Sequence, residues 1–244
     1  MKKTKLAVLG SLLLCSAPAF SDVIGATVEA SYWQGAYSGQ VVSGSTEIDL
    51  ENDLGFDDSG FLELAVSVEH PVPVLPNVRI EHIDLDETAN GSFTATFNNV
   101  SFTGDVTTNL DLTHSDVILY YEVLDNIVML DVGLNVKVFD GNLRIENESN
   151  GDTSDTKIDE FVPMLYAAAD AALPFTGLSV GAELSAVKYS DNSLMDGKIR
   201  VRQGFGLAFL ELGYRQMSLE IEDVNDIDVD ADISGAYIST GLDF

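Results

Sequence analysis

Three stretches of this chain hold the residue types that do chemistry. "THSDV" sets His114, Ser115 and Asp116 side by side, the types of a base, a nucleophile and an orienting acid. In a strand, however, adjacent side chains point to opposite faces, so His114 and Ser115 cannot pair locally. A rim hydrolase acting on lipid or peptide is therefore an alternative without local geometry behind it. The other two histidines read as structural: His70 beside Pro71 and Pro73 as the cap of a turn, and His82 as an outward-facing residue. "EIEDVNDIDVDAD" holds Glu220, Glu222, Asp223, Asp226, Asp228, Asp230 and Asp232, hard oxygen ligands that suit a divalent cation. Read as a calcium loop from Asp228, it has Ile233 where the sharp turn needs glycine and Ser239 where the bidentate glutamate belongs, so a solvated strand edge is the simpler reading. Third, Lys198, Arg200 and Arg202 recur at every second residue, with Arg215 beyond a turn. Such a stack is either an anion-selective constriction or half of an ion-paired network that fills an interior.

Which of these holds depends on the elements that carry the residues. The hydrophobic period is two along most of the chain. Val128, Leu130, Val132, Leu134, Val136 and Val138 alternate with Met129, Asp131, Gly133, Asn135 and Lys137, and an apolar face opposite a polar one marks a strand. Ile24 to Tyr32, Leu62 to Val68 and Leu178 to Leu184 repeat the pattern. A soluble sandwich alternates as well, so the decisive feature is what the polar face holds. Six basic residues, Arg79, Lys137, Lys198, Arg200, Arg202 and Arg215, fall on the faces opposite the apolar ones, and Glu29, Glu63, Glu81, Glu122, Asp131, Glu183 and Glu211 share those faces. A charge-paired interior behind an apolar exterior is the arrangement of an outer-membrane barrel. The predicted lumen network is Arg79, Glu81, Asp131, Lys137, Glu183, Lys198, Arg200, Arg202, Glu211 and Arg215. A ten-strand barrel has little free width, so a salt-bridged, closed lumen is the expectation and a narrow channel for small solutes or ions the alternative.

The leader supports export. Lys2, Lys3 and Lys5 precede an apolar run and small residues ending at Ser21, a signal peptide over 1–21. The barrel domain is then 22–244. Cys15 follows Leu14, which does not suit lipidation, and no other cysteine exists. Disulfides and thiolate metal sites are excluded from the exported part, and no cofactor is expected. Of 12 basic residues three lie in the leader, leaving nine against 40 acidic ones. Nucleic acid is excluded as a partner by that balance. The apolar stretch "FVPMLYAAADAALPF" is interrupted by Pro163, Asp170 and Pro174, so no spanning helix is expected.

Short connections at 70–77, 124–126, 173–177 and 203–206 alternate with long polar ones at 34–59, 86–106, 140–157 and 222–232. These match the periplasmic turns and extracellular loops of an antiparallel transmembrane barrel of about ten strands, with eight or twelve also possible. Beyond Tyr214 the pattern inverts: Gln216, Ser218 and Glu220 continue the outward face, and Met217, Leu219 and Ile221 turn inward. The strands are thus expected to pass beyond the bilayer and enclose a small apolar core. The third strand is the weak point, since only Val78 and Ile80 precede His82 on its lipid side.

The C-terminal "YISTGLDF" is similar to the assembly signal of bacterial outer-membrane barrels, carried here by Tyr237, Leu242 and Phe244. That similarity implies the barrel insertion machinery as a partner, besides outer-membrane lipid and lipopolysaccharide. Across most of the chain, "DLENDLGFDD", "VEHPVPVLPNVRIEHIDL", "THSDVILYYEVLDN", "LDVGLNVKVFDG", "LPFTGLSVGAEL" and "LGYRQMSL" resemble a family of small proteobacterial outer-membrane barrels of unassigned activity, named for its co-occurrence with the GlyGly-CTERM sorting system. The resemblance implies the fold and a Gram-negative outer membrane. It brings no catalytic or binding residues.

Overall fold

The computed structural model describes residues 24–44, 46–72, 74–125, 127–224 and 227–244. The leader reading over 1–21 lies outside them, as does Asp226. The described residues form strands and no helix: β1 (Gly25–Ser43), β2 (Thr46–Asp49), β3 (Ser59–Glu69), β4 (Asn77–Asp84) and β5 (Asp86–Phe97). Next come β6 (Val100–Asp111), β7 (His114–Asp125), β8 (Val128–Phe139), β9 (Gly141–Asn147) and β10 (Thr153–Ile158). The last are β11 (Phe161–Leu173), β12 (Leu178–Tyr189), β13 (Asn192–Phe205), β14 (Ala208–Val224) and β15 (Ile227–Asp243).

Ten strands, β1, β3, β4, β7, β8, β11, β12, β13, β14 and β15, pair antiparallel in that order, and β15 returns to β1 with Val28 opposite Leu242 and Tyr37 opposite Ile233. The barrel is closed, and closure leaves no unpaired edge in its wall. Ten is the strand number expected from the sequence, and eight and twelve fall away. Alternation places Val28, Leu64, Val66, Ile80, Leu119, Leu134, Ile199, Leu212 and Ile238 on the outer surface, all exposed. Tyr32, Phe161 and Tyr214 edge this band at one end, and Phe175, Phe205 and Phe244 at the other. Aromatic girdles on both sides of an apolar belt are the outer-membrane pattern.

The segments read as long polar loops are largely strands, which corrects that reading. β5, β6, β9 and β10 form a second sheet in the order β10-β9-β6-β5. They prolong β4, β7, β8 and β11 across breaks of one or two residues at Leu85, 112–113, Asp140 and 159–160. The alternation persists there with its faces exchanged, because outside a bilayer water lies outside and oil must go inward. Between this sheet and the extended ends of the barrel strands lies one apolar core that includes Trp33, Tyr37, Phe61, Phe97, Phe102, Ile145, Met217 and Ile233. Leu50, Leu54 and Phe56, between β2 and β3, drop into it. The Leu50 N–H donates to Gly39 O at 3.0 Å and the Ser92 N–H to Asp53 O at 2.9 Å, so the segment is tied to both walls. The β5–β6 hairpin turns at Asn98 and Asn99, both left-handed (φ 48° and 63°), a region asparagine tolerates. Asn98 Nδ2 there reaches Thr156 Oγ1 of β10 at 3.5 Å. These parts form a filled cap over one barrel mouth.

β4 remains short, as its sequence indicates. It gives way to β5 one residue after Asp84, and His82 Nδ1 lies 2.9 Å from Ser115 Oγ on the adjacent strand β7. The polar pair sits on the outer wall at the cap end of the band.

Candidate functional site: the charged lumen

The inward parity of ten strands brings charged side chains into one layer below the cap. Lys137 Nζ lies 2.8 Å from Asp116 and 3.0 Å from Asp196. Lys198 Nζ contacts Glu63 at 3.0 Å and Glu81 at 3.3 Å. The Arg215 guanidinium donates to Asp196 at 2.6 Å and to Glu63, and its Cζ stands 4.8 Å from the Trp33 ring. One level further from the cap, Arg200 grips Asp170 through two nitrogens at 2.5 and 3.0 Å and reaches Glu183 at 3.1 Å. Arg202 binds Glu211 at 2.8 Å and stacks 3.9 Å over Phe209. Arg79 joins Glu81 at 2.5 Å and Glu29 at 3.5 Å.

Several of these pairs join strands that are not neighbours. β13 meets β3 and β4 through Lys198, β8 through Asp196 and β1 through Arg202, whose guanidinium lies 3.6 Å from Glu29. The pairs therefore cross the lumen rather than lining it. Lys137, Arg215, Glu211, Asp116, Glu63 and Glu81 are all buried. Charges at such depth persist only when paired and hydrogen-bonded.

Nine of the ten residues anticipated for the network meet here. Asp131 does not. It stands nearer the open end, opposite Glu122 across β7 and β8, and its Oδ1 is buried without a hydrogen-bond donor. Glu69 and Glu122 line the same chamber, and the arginines there are held by other acids. Three acids of the network were missed: Asp116, Asp170 and Asp196. Strand parity was the available signal. Asp116 alternates with the outward Val117, Asp170 shares a face with the buried Met164, Tyr166 and Ala168, and Asp196 shares one with Lys198. Tyr237 also points inward, and its hydroxyl donates to Glu211 Oε1 at 2.7 Å. Of the three terminal residues likened to an assembly signal, only Leu242 and Phe244 lie outside. Phe244 closes the seam by exchanging backbone hydrogen bonds with Ala26.

The three histidines lie in three different surroundings. His114 is buried against Phe139 with Nδ1 on Leu112 O at 2.7 Å, while Ser115 faces outward to His82. His70 Nε2 meets Pro76 O at 3.1 Å and caps its turn. Asp228, Asp230 and Asp232 lie on β15, and among the described residues no three His, Cys, Asp or Glu side chains gather as a metal site. Ser218 and Gln216 donate to Asp232 instead.

At the end away from the cap, the lumen opens into a chamber of about 300 Å³ lined in part by Glu69, Tyr120, Glu122, Asp131, Tyr166 and Arg202. The charged layer is its ceiling.

No protein-family model and no curated protein matches the chain. Among solved structures, the outer membrane protease OmpT from Escherichia coli superposes with a TM-score of 0.53 at 9% identity, covering 94% of this chain and 99% of that one. The Yersinia pestis attachment invasion locus protein Ail, solved with the heparin analogue sucrose octasulfate, has a TM-score of 0.36 at 10% identity, covering 91% and 99%. A Pseudomonas aeruginosa FadL homologue has a TM-score of 0.37 at 9% identity, covering 91% and 90%. The first likeness agrees with the strand pairing: the fold is that of an outer-membrane β-barrel.

Proposed function

We propose that this chain is an integral outer-membrane component with a closed lumen, which presents its cap to the exterior in a structural or surface-binding role. The short turns and both chain ends then face the periplasm. Lipid and lipopolysaccharide surround the wall, and assembly proceeds through the barrel insertion machinery. The motifs quoted above support placing it with the GlyGly-CTERM-associated barrels.

One observation carries the closed-lumen reading. Ion pairs between non-adjacent strands cross the barrel directly beneath a packed apolar cap, so a permeating solute meets two seals of opposite chemistry. An ion passing the charged layer must break pairs whose partners have no water to fall back on, and passing the cap requires unpacking an aromatic core. The placement of His70, His82 and His114 in three separate environments favours this reading over a rim hydrolase, even though one structural likeness is to a protease.

Conductance of the purified full chain in planar bilayers tests the proposal. The expected record stays at baseline across the applied voltages. Discrete unitary steps that change in size in Arg200→Ala would overturn it in favour of a narrow channel.

A further inference from the structure

The chamber at the turn end is separate from the cap, and we infer that it is a binding site for a small organic cation, an alkylammonium ligand that enters and leaves by the periplasmic mouth. Its charges fall into two groups. Arg79, Arg200 and Arg202 are already engaged by Glu29, Glu81, Asp170, Glu183 and Glu211. Of the other acids that line it, Glu69 and Asp131 form no ion pair, and Asp131 stands opposite Glu122 across the β7–β8 ladder. The field of the open chamber is therefore set by carboxylates, and a buried carboxylate oxygen without a donor, as Asp131 Oδ1 is, is a cost that a bound N–H removes.

The other walls fit an ammonium rather than a bare metal ion. Tyr120 and Tyr166 line the chamber with ring centroids 6.0 Å apart and planes tilted by 51°, and aromatic faces attract alkylammonium groups. The Tyr120 hydroxyl donates to Glu69 Oε1 at 2.8 Å, fixing one oxygen of that carboxylate and leaving the other for a ligand. The acids are not gathered tightly enough to coordinate a metal. A volume of about 300 Å³ is at the small end of ligand pockets, ample for a short diamine and its water. The charged ceiling makes the chamber blind, so it suits capture rather than passage.

Isothermal titration calorimetry on the full chain in detergent micelles tests this with cadaverine as probe, against 1,5-pentanediol, glutarate and magnesium chloride. Saturable binding of cadaverine alone is expected, weakened at least tenfold in Asp131→Asn and also weakened in Glu69→Gln. Asp230→Asn, on the outer acidic strand, leaves it unchanged. Tyr120→Phe keeps the ring and retains binding. Heat-modified gel mobility shows whether each variant is folded, and if Asp131→Asn is not, the wild-type titration and Glu69→Gln decide. The inference fails if cadaverine does not saturate, if magnesium displaces it at equal concentration, if folded Asp131→Asn binds as wild type, or if binding follows Asp230. A conducting wild-type protein would defeat the closed-lumen proposal while leaving these titrations interpretable.

Discussion

Lys137 on β8 and Asp196 on β13 meet at 3.0 Å across the barrel, although β11 and β12 separate their strands along the wall. The same ammonium holds Asp116 at 2.8 Å, and none of the three has appreciable solvent contact. Removing the ammonium leaves the buried Asp116 carboxylate without its cation, while Asp196 keeps Arg215. Lys137→Met is expected to destabilise the barrel by about 3 to 5 kcal/mol, the usual penalty for breaking a buried pair from one side. Adding Asp116→Asn to Lys137→Met recovers part of the loss, because Asp196 keeps its pair with Arg215. Urea unfolding from lipid vesicles measures both.

The wall was legible in the sequence because its signal is local. The alternation from Val128 to Val138 indicates which side chains of β8 enter the lumen without any knowledge of the neighbouring strands, and the same parity on β4, β12, β13 and β14 picks out the other anticipated residues that meet there. Partner choice was not legible. Lys198 finds Glu63 more than a hundred residues away, through barrel closure that no single strand encodes. The cap was half legible: the inversion after Tyr214 announced an apolar core, but the polar spacing of 86–106 and 140–157 hid a sheet. Thr, Ser and Asn there hydrogen-bond across a solvated face, as Thr107 does with Asn90 at 3.0 Å, and such residues read as loop by composition.

Gly213 gives a steric prediction. A Cβ at this position would lie 2.3 Å from Ile199 O and 2.5 Å from Tyr237 Cε1. The Tyr237 ring occupies the space a side chain would fill and is held there by Glu211. Gly213→Ala must shift the ring or the backbone, and overpacking of this kind costs about 1 to 3 kcal/mol. The folded fraction on an unheated gel is expected to fall in Gly213→Ala and to recover partly in Gly213→Ala with Tyr237→Phe, whose freed ring can move.

Asp49 gives a pH prediction for the cap. The Asn52 N–H donates to its carboxylate at 2.7 Å, with the Asn52 amide at 2.9 Å and the Glu51 N–H at 3.0 Å. The Asn52 backbone bond leads in holding this carboxyl below its ordinary value of 3.8. A depressed folded value means that the contribution to stability is complete above the unfolded value and lost as pH falls through the lower folded one. The protection of amides 50–56, taken relative to the intrinsic exchange rate at each pH, is therefore expected to stay constant from pH 7 to about 5 and to fall only below about pH 4. Asp49→Asn, which cannot ionise, quickens exchange at pH 7 and removes the dependence.

The height of the apolar belt gives the last prediction. Val66 is exposed on the outer wall, flanked along β3 by the outward Leu64 and Val68 and across the ladder by Val28 and Ile80. Its neighbours on every side are apolar, which places it well inside the belt. Gln216, two residues beyond the girdle residue Tyr214 on the same face of β14, sits among Ser218 and Asp232. Arginine on the lipid face costs about 2 to 4 kcal/mol at the bilayer midplane and little near the interface. Val66→Arg is therefore expected to lower folding stability in vesicles by that amount, whereas Gln216→Arg leaves it within about 1 kcal/mol. Equal effects at the two positions would mean that the wall around Val66 does not contact hydrocarbon, and the membrane assignment would fall with it.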